Sequence, residues 1–130
     1  MKKIIQYLMV LTVSLTVTSC YYDELPIEPV VPLPEIVSYK NNIQPLFDQN
    51  CIGCHKSGGT FPNLTSTSSY AALTTLTNGE KLVTASDAAG SILYQAMTGN
   101  GAPLMPTGGK LSAANLALVE KWINDGALNN

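Results

Sequence analysis

Cys51-Ile52-Gly53-Cys54-His55 decides the reading of this chain. Two thiols stand three residues apart, and an imidazole follows the second directly. The residues leading into them, Ile43-Gln44-Pro45-Leu46-Phe47-Asp48-Gln49-Asn50, read as a helix. Tyr39, Ile43, Leu46 and Phe47 recur at spacings of three to four, with Lys40, Gln44 and Asp48 on the opposite face. Proline is unfavourable inside a helix. The firm helix is therefore expected to begin near Asn42 as its N-cap, so that Pro45 falls in the first turn.

C-x-x-C-H is the attachment pattern of c-type haem. Two thiols on one helical turn can each add to a different vinyl group of one porphyrin. The next residue then sets an imidazole under the iron as its fifth ligand, and small Gly53 leaves room for the ring. The rival readings are weaker. A thioredoxin-like redox pair wants a preceding strand and a βαβ pattern, whereas a helix precedes Cys51. A structural zinc needs four ligands, and Cys51, Cys54 and His55 supply at most three. A Cys51–Cys54 disulfide leaves His55 without a role. One covalent haem c, with its iron, is the expected cofactor, held through Cys51, Cys54 and His55.

His55 is the only histidine, so the sixth iron ligand is methionine, lysine, water or nothing. Met1 and Met9 belong to a leader described below. Met97 lies inside a predicted helix, four residues after Leu93, as a packed core residue would. Met105 lies in a loop between Pro103 and Pro106, with Gly108 and Gly109 allowing a close turn after it. A stiff loop is what a weakly binding thioether needs, and Met105 is the expected ligand. Lys110 competes only as a free amine at high pH, since it carries its charge at pH 7.

Three more helices are predicted downstream. A short one covers Ser68–Leu76. A second starts after Ser86 or Asp87 and ends at Thr98, with Gly99 as its stop and Ile92, Leu93, Ala96 and Met97 as its buried stripe. The last begins after Ser112 as N-cap, with Leu116, Val119, Trp122 and Ile123 on one face and Ala117, Lys121 and Asn124 opposite. Gly126 takes the place of a left-handed cap. Trp122 and the tyrosines read as core packing.

The order Ile43-x-Pro45-Leu46-x5-Cys-x2-Cys-His, then Ala102-Pro103-Leu104-Met105-Pro106-x-Gly108-Gly109-x-Leu111-Ser112, then Val119-x2-Trp122-Ile123-x2-Gly126-Ala127 resembles the small class I cytochrome c domain of bacterial membrane-associated proteins. The resemblance spans about residues 39–127 and is carried by the two ends; residues 56–100 contribute nothing specific. It implies an all-α fold of about four helices wrapped around one haem. In it the first and last helices cross, bringing Ile43 and Phe47 to Trp122 or Ile123. It implies His55 and Met105 as axial ligands and transfer of single electrons without catalysis.

The N-terminus reads as an address. Lys2 and Lys3 precede an apolar run, Ile4 to Val17, of about 14 residues, too short for a bilayer span of roughly 20 and suited to an export signal. Val17-Thr18-Ser19-Cys20 resembles a bacterial lipobox, which implies a signal peptide over 1–19 and lipid on Cys20. Tyr21 in place of aspartate favours the outer membrane by the familiar sorting pattern, and Asp23 and Glu24 read as a solvated acidic pair. Pro26, Pro29, Pro32 and Pro34 mark 20–37 as a stiff tether in polyproline II, reaching about 50 Å at roughly 3.1 Å per residue. The folded domain is placed at 38–130. A chain that short needs a staple, and haem would be one.

Composition excludes other classes. All seven basic residues are lysines, against nine acidic ones, with a sequence pI near 5.2; no basic patch exists to bind nucleic acid. Loss of the leader leaves five lysines against nine acids, about −4, which gives little support to docking through a lysine ring. Gly109-Lys110 is no phosphate loop, because Leu111 replaces Ser/Thr and Leu104 replaces the first glycine. His55 is committed, so no Ser-His-Asp arrangement can be built. The expected function is that of a membrane-tethered monohaem electron carrier or electron-entry subunit, not an enzyme, with a redox partner protein that the sequence does not name. The alternatives are a haem enzyme or gas sensor with an open sixth position, which normally wants a distal acid–base group, and a lipoprotein without haem.

Overall fold

The computed structural model describes Lys3, residues 32–76 and residues 79–130. Lys3 excepted, the leader, Cys20 and the tether as far as residue 31 lie outside the described residues.

Ser38 sits in extended backbone, and its hydroxyl accepts a 3.2 Å hydrogen bond from the Asn41 N–H. It caps a π-helical turn, Tyr39–Ile43, which runs straight into α1, Gln44–Asn50. The helical segment thus begins before Asn42. Asn42 is not the cap but returns its side-chain oxygen to the Ser38 N–H at 2.9 Å. Ser38 thus meets the Asn41 N–H while Asn42 meets the Ser38 N–H, a relative of the capping box in which the return bond comes from the next residue along. Pro45 lies in the first turn of α1, where its missing N–H costs no helical bond.

α2 covers Ser69–Thr74, α3 Ile92–Thr98 and α4 Ala113–Asn124. Ser112 caps α4 by accepting from the Asn115 N–H. Gly99 ends α3 in the left-handed region at φ 72°. After α4, Gly126 takes the left-handed region at φ 106°, at the expected cap position, and Ala127 follows it there at φ 52°. Ala127 N–H closes on the Trp122 carbonyl at 2.9 Å.

α3 starts four to five residues later than a cap at Asp87 or Ser86 would have it. Local polar bonds hold that stretch as a loop. The Ser86 N–H donates to the Ile123 carbonyl at 2.8 Å, and the Asp87 carboxylate accepts from the Gly90 N–H at 2.8 Å. Buried Ser91 donates to the Asp87 carbonyl at 2.7 Å and accepts from the Thr84 N–H at 2.9 Å. Short polar side chains here offer the backbone partners that a helix would otherwise provide.

The architecture is all-helical, with no strand among the described residues. Ile43, Phe47, Val119, Trp122 and Ile123 are essentially fully buried in one cluster. The Tyr39 ring lies 5.1 Å from that of Trp122 and 5.2 Å from that of Tyr70. The Trp122 indole N–H finds the Leu128 carbonyl at 2.9 Å, so the largest core side chain carries no unmet donor. The Lys40 N–H meets the Asn130 carbonyl at 3.0 Å, and the Tyr39 N–H meets the Asn130 side chain at 2.8 Å. The two edges of the 38–130 unit are thereby joined.

Gln44 departs from its expected outward place. It is 6% exposed. Burial is tolerable because each polar atom is met. Nε2 donates to Asp48 Oδ1 at 2.8 Å and to the Leu64 carbonyl at 3.0 Å, while Oε1 accepts from Ser69 Oγ at 2.5 Å.

Candidate functional site

The Cys51–His55 segment prolongs α1 by one turn. The Cys51 N–H bonds the Phe47 carbonyl at 2.8 Å, and the His55 N–H bonds the Cys51 carbonyl at 2.9 Å. Cys51 and His55 therefore stand one turn apart, on the same side. The chain then doubles back. The Gly59 N–H reaches the Lys56 carbonyl at 2.9 Å, and the Thr60 N–H reaches the Cys54 carbonyl at 3.0 Å. A Cβ on residue 59 would run into the Cys54 carbonyl oxygen, so this reversal requires glycine.

The returning strand of chain holds the imidazole. His55 Nδ1 lies 3.2 Å from the Pro62 carbonyl oxygen. A carbonyl only accepts, so in the neutral imidazole Nδ1 is the nitrogen that carries the proton and Nε2 the one with the lone pair. The Leu64 N–H closes the same loop on the His55 carbonyl at 2.9 Å.

Facing this segment is a wall made by α3 and the loop after it. Ile92, Leu93, Ala96 and Met97 contribute from the helix, and Met105, Pro106 and Leu111 from the loop. The loop is pinned to the helix by a 2.8 Å bond from the Met105 N–H to the Ala96 carbonyl. Between the two walls lies a cavity of about 350 Å³. Cofactor pockets of this size, mostly apolar with few polar groups, are typical. None of its lining residues is charged. Cys51, Cys54, His55, Met97 and Met105 all border it. Gly53 borders it too, and a Cβ built there would meet no protein atom.

Cys51 is half-buried and Cys54 exposed, and both are free thiols. Burial pushes the Cys51 thiol up from 9.0 to about 11. It is protonated at neutral pH, the opposite of a reactive redox cysteine, whose thiolate is stabilised by its surroundings. Among the described residues no three His, Cys, Asp or Glu side chains gather into a metal-sized cluster. Two soft thiols, one imidazole and two thioethers border this one mostly apolar cavity.

The two methionines differ. Met97 is 3% exposed and packed in the core, whereas Met105 is 36% exposed at the cavity edge. Sequence reasoning missed Pro62, Leu64, Leu82 and Gln44. Pro62, Leu64 and Leu82 fall in the stretch where no motif stands out; they enter the site through backbone bonds, such as the 2.9 Å link from the Leu93 N–H to the Leu82 carbonyl. Comparison with protein-family models, with curated proteins and with solved structures found no match to this chain.

Proposed function

We propose that residues 38–130 form a class I c-type cytochrome domain that carries single electrons on one covalently attached haem. The observation that carries this reading is one mostly apolar cavity bordered by Cys51, Cys54, His55, Met97 and Met105 together. Those residues fit the group: Cys51 and Cys54 would bind its two vinyl substituents, and the His55 imidazole and a methionine thioether would hold its iron. When bound, haem supplies an iron centre that accepts or gives up one electron.

The protein's own residues do the rest. Cys51 and Cys54 would anchor the ring to the end of α1. His55 presents Nε2 because Pro62 holds its other nitrogen. Met105 offers a thioether from a loop tied to α3, and Met97 completes the apolar packing. A mostly apolar lining would disfavour the extra positive charge of the ferric state, and a thioether ligand would act in the same direction, raising the reduction potential. We place the domain outside the cytoplasm, lipid-anchored through Cys20 to the outer membrane and held off it by the 20–37 tether, where it passes electrons to or from a redox protein. No described helix is long and apolar enough to cross a membrane.

The test is a reduced-minus-oxidised visible spectrum of the purified protein, with an intact mass. Sharp absorption bands of a low-spin c-type haem and one added haem mass are expected. A protein purified from a host competent in haem attachment, yet colourless and of polypeptide mass, would overturn the proposal.

A further inference from the structure

Resting on the haem reading above, we infer that Gln44 is a positioning residue for His55. It acts through the 55–64 loop and so helps to set the reduction potential. Gln44 sits in α1, two turns before Cys51, with its side chain turned inward. Among the described residues it is one of three buried polar ones, with Ser69 and Ser91. Its three hydrogen bonds tie together parts of the molecule that sequence separates widely. Oε1 accepts from Ser69 Oγ at 2.5 Å, and Ser69 Oγ in turn accepts from the Tyr39 hydroxyl at 2.7 Å. Nε2 donates to Asp48 Oδ1 at 2.8 Å, within α1, and to the Leu64 carbonyl at 3.0 Å.

Leu64 is the point of leverage. Its carbonyl is held by Gln44, its N–H is bonded to the His55 carbonyl at 2.9 Å, and its side chain, 4% exposed, lines the cavity. Two residues earlier, the Pro62 carbonyl stands 3.2 Å from His55 Nδ1. The loop that orients the imidazole is thus fastened at its far end by an amide from the helix that carries Cys51. A side chain buried with every polar atom paired has one low-energy arrangement, and losing a partner leaves an unmet acceptor that drives rearrangement. If the Leu64 carbonyl is released, the loop relaxes and the Nδ1–H···O=C bond lengthens. A weaker bond at Nδ1 makes Nε2 a poorer electron donor. The ferric state is then less stabilised, and the potential rises.

The experiment compares haem-loaded wild type with Gln44→Met, which keeps length and apolar bulk but removes both donor and acceptor. Reduction potential, the NMR resonance of the His55 Nδ1 proton and hydrogen exchange at the Leu64 amide are measured. Val119→Ala, a truncation in the core face of α4, serves as the comparison for destabilisation alone. The expected result for Q44M is a raised potential, a displaced Nδ1 proton resonance and at least tenfold faster exchange at Leu64, with the potential of V119A unchanged. Ser69→Ala removes the donor to Gln44 Oε1 and the acceptor of the Tyr39 hydroxyl but leaves the Gln44 amide bonded to Leu64; it gives the same shifts in milder form, so it carries the test if Q44M does not fold. A haem-loaded Q44M or S69A protein with wild-type potential and Nδ1 resonance overturns the positioning role alone. A wild type that takes up no haem overturns this inference together with the reading beneath it.

Discussion

The imidazole of His55 is held by the backbone of Pro62, seven residues along the chain, through a 3.2 Å contact between Nδ1 and the carbonyl oxygen. The loop between them is shaped by Gly59, the one residue type that can pass the Cys54 carbonyl at that approach. Orientation of the expected iron ligand is therefore a property of the 55–62 turn. Gly59→Ala should distort this turn and lower stability by more than the usual ~0.5–1 kcal/mol scale of glycine effects, read as a drop in melting temperature. An unchanged melting temperature and an unchanged haem spectrum would show that the turn gives way without cost.

Attachment of the haem is expected to run through both thiols. Acid–organic extraction should leave the haem on the polypeptide. Changing either Cys51 or Cys54 to Ala should leave at most one thioether and a protease-sensitive domain, because a cavity of about 350 Å³ would lose the occupant that fills it. Haem extracted freely from the purified wild type would refute the covalent link.

Met105 and Met97 should separate cleanly by substitution. Met105→Ala is expected to abolish the weak long-wavelength band of a ferric iron–thioether bond, lower the reduction potential and admit added ligands to the iron. Met97→Ala, at a side chain 3% exposed, should instead cost about 2–5 kcal/mol of stability, as for other buried methionines, and keep the band. The reverse pattern would transfer the ligand role to Met97.

Alkaline pH tests the polar network around Tyr39. Burial pushes this phenol up from 10.0 to about 12. The folded state holds the proton more tightly than the unfolded chain, so the associated stability is complete below pH 10 and is lost as pH rises through about 12. Tyr39→Phe removes the 2.7 Å bond to Ser69 and should cost about 1 kcal/mol at pH 7. The gap between the two proteins should narrow from pH 10 to 12, measured by chemical denaturation at each pH. A constant gap would place the phenol's titration outside the folding equilibrium.

Cys20 lies outside the described residues, and its role is tested in cells. Cys20→Ala should leave the protein unlipidated by mass and move it from the membrane fraction to the soluble one. Membrane association equal to wild type, in a strain without bound partners that retain the domain, would remove lipidation from the account.

Local signals were enough for much of the fold. The apolar spacing of Tyr39, Ile43 and Phe47 and of Val119, Trp122 and Ile123 marks the two helices whose faces form the core, because burial on one side of a helix must recur every three to four residues. Ser112 and Gly99 mark ends, because a free helix terminus needs a nearby hydroxyl or a left-handed residue. The pairing of two thiols with an imidazole in Cys51–His55 likewise follows from spacing on one turn. Tertiary structure decided what depends on partners distant along the chain. Gln44 looks solvent-facing by its period, yet it is buried because Ser69 and Leu64, 25 and 20 residues away, supply its hydrogen bonds. Ser86 and Asp87 look like helix caps, yet they form a loop because Ile123 and Ser91 bond them first. The cavity wall opposite His55 exists only once α3 and the Met105 loop are fastened together by the Ala96 carbonyl. A cap or a period is a property of a few adjacent residues, whereas a buried polar side chain or a cavity is settled by which distant groups reach it before water does.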